Sequence, residues 1–220
     1  MQAVESETLI LYHTELRGHW PLAPALALAS RLPYARRLAL SRSGSAAQAS
    51  LAGVALALRA LARLLGRSVA PGEIVFAPGE KPCLASQPAC EAAAAGALRT
   101  VRSAPHPQGP DFSIAHAGPW VACAAFSGGR VGLDVEMGTD ARIADWVVRE
   151  AALKATGAGL RAAREVRALE WGARAAWWRG ERWHLERLDL FPGASACVLT
   201  SSAPATVEAC AVPLAELFVP

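Results

Sequence analysis

Leu51, Val54, Ala55, Leu58, Leu61, Ala62 and Leu65 recur at steps of three and four residues and so fall on one stripe of a helix, with Gly66 where a C-cap belongs. A second helix is expected over 22–32, stopping before Pro33. Thr8 to His13 reads as a first strand, Glu73 to Phe76 as a short one and Gly79-Glu80-Lys81-Pro82 as a turn. Residues from about Ala85 to Pro110 are rich in Ala, Pro, Ser and Gly, which predicts a surface insertion with a short helical segment at Glu91 to Arg99. From Phe112 the pattern turns β-like. Phe112-Ser113-Ile114, Trp120 to Phe126, a Ser127-Gly128-Gly129 turn and Val131 to Val135 predict a hairpin whose second strand ends at acidic residues. Arg174 to Trp178, Trp183 to Leu190 and Ala196 to Thr200 read as an antiparallel meander, and Thr206 to Val212 as a last strand. This mixture predicts an α+β protein.

Within Val131-Gly132-Leu133-Asp134-Val135-Glu136 the apolar residues alternate with Gly132, Asp134 and Glu136. That is the period of a half-buried strand, so the two carboxylates share a face about 7 Å apart. Trp146, Val147, Glu150, Ala151, Leu153, Lys154 and Ala155 follow helical spacing, which sets Glu150 and Lys154 one turn apart on the same helix face. A strand and a helix can therefore converge on one hard cation such as Mg²⁺.

Composition narrows the classes. With 53% hydrophobic and 19% charged residues the 220-residue chain is globular, long enough for two halves sharing a core. A net charge of +3 is too weak to indicate nucleic acid and suits a phosphate-rich or acidic partner. Cys83, Cys90, Cys123, Cys197 and Cys210 form no CxxC pair and are expected to be free thiols. No basic segment followed by an apolar run opens the chain, and Leu51 to Leu65, interrupted by Arg59 and Arg63, is too short for a bilayer. A cytoplasmic location with no membrane partner is expected.

Phe112-Ser113-Ile114-Ala115-His116, then Gly132 to Glu136, then Trp146 and Glu150-Ala-Ala-Leu-Lys154 followed by Gly157 and Gly159 resemble, in order, the motifs of the surfactin-type 4′-phosphopantetheinyl transferases. Upstream, Leu32-Pro33, Arg36-Arg37, Ser50 to Gly53 and Lys81-Pro82 resemble the family's basic segment, helix and Gly-Lys-Pro turn. The resemblance implies a pseudo-twofold pair of similar α+β halves, here 1–118 and 119–220, with the ligand between them. It implies transfer of phosphopantetheine from coenzyme A to a serine of an apo acyl or peptidyl carrier protein, releasing adenosine 3′,5′-bisphosphate. Asp134, Glu136 and Glu150 would hold Mg²⁺ against the pyrophosphate. Glu150, or a water it holds, would take the serine proton, and Lys154 would neutralise the transferring phosphate. His116, Arg36, Arg37 and Lys81 would hold coenzyme A phosphates. Two similar halves in one chain remove the need for a partner subunit, so a monomer is expected.

The chain departs from the family pattern at Ala115 and Ala117, where serines flank the histidine, and at Ala49, where an arginine precedes the helix. Only residues 137–149 separate Glu136 from Glu150, where the family has a longer excursion that helps to hold the carrier. These departures leave a second reading open, a protein of the same fold that binds coenzyme A or a carrier and transfers weakly. A metal-dependent nuclease, also built on an acidic pair with Glu and Lys, would place its lysine two residues after the last acid on a strand rather than four on a helix.

Overall fold

The computed structural model describes residues 7–33, 44–76, 81–86 and 109–219. Thr8–Glu15 forms β1, extending the predicted strand by two residues, and Leu22–Ser30 forms α1. The predicted stripe lies in α2, Gly44–Leu65. This helix starts earlier than expected because the Ala-rich run before Ser50 contains nothing that stops it. At 22 residues it is long and apolar enough to cross a membrane by length and composition, correcting the expectation drawn from 51–65. Here it is a core helix, with Ala52 to Ala57 buried without interruption. Ile74–Val75 (β2) and Cys83–Leu84 (β3) make a small ribbon of their own.

Asp111–Ala117 (β4), Trp120–Phe126 (β5) and Val131–Met137 (β6) follow, then α3 over Ala141–Thr156. The predicted meander appears as Ala175–Trp178 (β8), Glu181–Arg187 (β9) and Ala194–Thr200 (β10), preceded by a two-residue β7, Glu170–Trp171. Thr206–Ala211 is β11. One sheet runs β11-β1-β5-β4 and the other β6-β10-β9-β8-β7. The molecule is therefore mixed α+β.

The predicted β5–β6 hairpin does not form. β5 pairs with β1 on one side and β4 on the other, so neither of its edges is open to β6. The Gly-Gly turn instead hands the chain to the second sheet, where β6 pairs with β10. Sheet membership thus changes between Phe126 and Val131, and β11 returns to pair with β1 in parallel. A cut at 118/119 would fall inside the β4–β5 hairpin.

Period-two alternation explains the layers. Ile10, Val121, Cys123 and Ala125 face α2, whereas Leu9, Leu11, Ala122, Ala124 and Phe126 face the second sheet. There they meet Leu133, Val135, Ala196 and Val198. The far side of that sheet, with Trp183, Leu185, Cys197 and Leu199, carries Val147, Val148, Ala151, Ala152 and Ala155 of α3. The order is helix, sheet, sheet, helix.

One cysteine expectation is corrected: Cys83 is disulfide-bonded, while Cys123, Cys197 and Cys210 are free. Which thiols meet is decided by tertiary approach of their Cβ atoms, which spacing along the chain does not encode. Cys90, Arg36, Arg37, Gly79, Glu80 and most of the expected 85–110 insertion, with its helical segment, lie outside the described residues.

Candidate metal centre

The site begins with a missing side chain. A Cβ on Gly132 would lie 2.0 Å from the Ala151 carbonyl oxygen and 2.4 Å from the Ala155 nitrogen. Only glycine lets α3 lie directly on β6 there. The helix is also fixed at both ends. Asp140 caps it by accepting from the amides of Arg142 and Ile143, and Gly157, in the left-handed region at φ 66°, closes it. Alternation along β6 turns Asp134 and Glu136 to the same side as Gly132, and helical spacing brings Glu150 and Lys154 down onto them.

The three carboxylates each offer an oxygen within 4.8 Å of the others. Asp134 is buried at 3% exposure, while Glu136 and Glu150 are half-buried. Oδ1 of Asp134 accepts from Lys154 Nζ at 2.6 Å. Its Oδ2 is buried with no hydrogen-bond partner. Burial pushes the Asp134 carboxyl up to about 7; Lys154 opposes this, and Glu150 and Glu136 reinforce it. An oxygen in that condition costs stability unless something positive meets it. The donor set, all carboxylate oxygen on rigid elements, fits a hard divalent cation.

His116 joins this group from β4. Partial burial and the Lys154 cation hold its imidazole below the ordinary range, while Glu136 pulls the other way. Trp146 lies one turn before Glu150 on α3 and is 37% exposed at the rim. The structure thus brings together Asp134, Glu136, Glu150, Lys154 and His116, and does not bring Lys81 to the carboxylates. Lys81 is ion-paired with Asp111 and donates to the Val131 carbonyl at 2.6 Å. Burial pushes its ammonium pKa down, and Asp111 resists.

Two contributors were not singled out from sequence. Asp111 Oδ2 accepts from the Val131 amide at 2.8 Å, and Ser113 Oγ from the Leu133 amide at 3.0 Å. These β4 side chains bond amides on the edge of β6 and tie β4 to β6, on the strand that also carries His116. The signal was visible as polar residues alternating with Phe112 and Ile114 in an otherwise apolar strand. Ala115 and Ala117 continue that row and are buried in the inter-sheet core, on the opposite face from His116. Ala49 is buried in α2.

Fold and site together define a mixed α+β protein with a partly buried cluster of three carboxylates where a strand of one sheet meets a helix. Comparison with protein-family models and with curated proteins gives no match for this chain.

Proposed function

We propose that this protein is a Mg²⁺-dependent phosphopantetheinyl transferase, moving 4′-phosphopantetheine from coenzyme A to a serine of an apo acyl or peptidyl carrier protein. The observation that carries the reading is the cluster of Asp134, Glu136 and Glu150, with the Asp134 Oδ2 buried and without a hydrogen-bond partner and with Lys154 and His116 alongside. Those five residues belong to the three ordered motifs that resemble the family. The finer fold reading, a pseudo-twofold pair, is supported by the repeated design of a long helix on a β-sheet, with a glycine at each helix–sheet contact. Gly53 of α2 meets Ile114 as Gly132 of β6 meets α3.

Mg²⁺ held by Asp134, Glu136 and Glu150 would supply neutralisation of the coenzyme A pyrophosphate and of the charge developing on the leaving phosphate. Glu150, half-buried on a rigid helix, takes the proton as the serine oxygen bonds to phosphorus, and the pyrophosphate P–O bond breaks to release adenosine 3′,5′-bisphosphate. Lys154 uses one of its three N–H donors on Asp134, leaving the others for a phosphate oxygen. His116, held neutral by its depressed pKa, still donates one ring N–H. Lys81 acts at one remove in this reading, tying Asp111 and Val131 so that β6 starts in register.

The weak-transfer reading drew on Ala115, Ala117 and Ala49. Ala115 and Ala117 point away from His116 into the core, so serines there would not face the same ligand and that part of the argument loses its force, while the part resting on Ala49 stands. The test is incubation with coenzyme A, Mg²⁺ and a panel of apo carriers spanning fatty acid, polyketide and peptide synthesis. Mass spectrometry then shows phosphopantetheine on the carrier serine; no adduct on any carrier refutes the proposal in favour of a binding protein.

A further inference from the structure

Sharing no residue with the acidic cluster, a cavity of about 460 Å³ lies between α1, α2, the 3-10 turn at Pro71–Glu73 and the C-terminal end at Leu217 to Val219. Leu28, Leu58, Val69, Leu217 and Phe218 supply apolar wall, and among the described residues the polar side chains lining it are Arg31, Arg59 and Ser68, with no carboxylate. Arg59 is fixed by donating Nη1 to the Glu216 carbonyl at 2.5 Å and to the Val219 carbonyl at 3.5 Å. Arg31 is exposed, and its guanidinium has no partner among the described residues. The adjoining helix α1 carries no charge, yet only Ala25 in it is buried, and Leu22 and Leu26 are 60% and 57% exposed. A helix apolar on every side is normally covered.

We propose that this cavity binds a small amphipathic carboxylate, its unbranched acyl chain between α1 and α2 and its carboxylate on Arg31 and Arg59. The volume falls in the range of small-molecule sites, roughly 300–1,000 Å³, and the lining follows their pattern of apolar wall with few convergent polar groups. Charge sets the head group. Two guanidiniums with no acid among the described lining residues favour an anion and form charge-assisted bonds to a carboxylate. An uncharged chain of the same length would leave Arg31 unpaired, and a cationic one would be repelled. The inference stands apart from the transferase reading and is read by binding, so the two can fail separately.

The experiment is isothermal titration calorimetry of the full chain with octanoate, octan-1-ol and octyltrimethylammonium, all below micellar concentrations. Octanoate is expected to bind one-to-one, at least about tenfold tighter than octan-1-ol, with no heat from the cation. Arg31→Glu should weaken octanoate about tenfold and leave octan-1-ol unchanged. Ala27→Trp, filling the cavity from an exposed helix position, should abolish both. Melting temperatures check that each variant is folded. No heat with octanoate, equal affinity for octanoate and octan-1-ol, or indifference of octanoate to either substitution would overturn the proposal.

Discussion

Asp134 has two oxygens with different surroundings, one on Lys154 and one on nothing, and both consequences can be measured. Its carboxyl titrates near 7 in the folded chain and near 4 in the unfolded one, so between those values the folded state binds the extra proton. Stability of the metal-free protein should therefore fall as pH rises from about 4 to about 7 and level off above. Urea unfolding across that range checks it, and Asp134→Asn should flatten the slope; a slope unchanged in that variant would mean another group carries it. Asp134→Ala should abolish phosphopantetheine transfer without lowering the metal-free melting temperature at pH 8, because it removes a buried, half-paired charge. Full transfer activity in that variant would refute the metal assignment. At this scale the sequence was legible: alternation set Asp134 and Glu136 on one face, and the four-residue step set Glu150 over Lys154. Burial of Oδ2 was not legible, since it depends on how closely α3 lies.

Between elements, that closeness rests on Gly132. Gly132→Ala drives a methyl group into the helix backbone, where no flexible side chain can give way. It should destabilise by about 3 kcal/mol or more by denaturant titration, with transfer lost along with the strand–helix contact. A destabilisation under about 1 kcal/mol would show that the helix shifts freely. The β4–β6 lashing gives an opposite prediction. Asp111 and Ser113 each bond the β6 amide twenty positions on, and the next pair in that register is Ala115 and Val135. Ala115→Ser should place a hydroxyl opposite the Val135 amide and stabilise by about 1 kcal/mol in the same titration; a loss of stability would show the register does not continue. Local pattern located nearly every element, and the failures were relational. The β5–β6 hairpin was inferred from a Gly-Gly turn, but strands join by free edges, and β1 and β4 already occupy those of β5.

At the scale of the whole molecule, the two sheets share one buried face, and β11 ties the chain's last strand to its first. Neither half can keep its apolar face covered alone, so unfolding should be a single transition. Tryptophan fluorescence, which includes Trp171, Trp177, Trp178 and Trp183 of the second sheet, and far-ultraviolet circular dichroism should give superimposable urea curves. Two separated transitions would show that the halves fold independently. The parallel return of β11 was beyond sequence reading, because it joins positions distant in pattern and near only in space. The proposed function rests on the proposed cation site between β6 and α3. Its most direct test is manganese electron paramagnetic resonance in the presence of coenzyme A, comparing the wild-type chain with Asp134→Asn. One bound Mn²⁺ per chain, displaced by Mg²⁺ and lost in the variant, is the result predicted here. Identical spectra for the two proteins would contradict it.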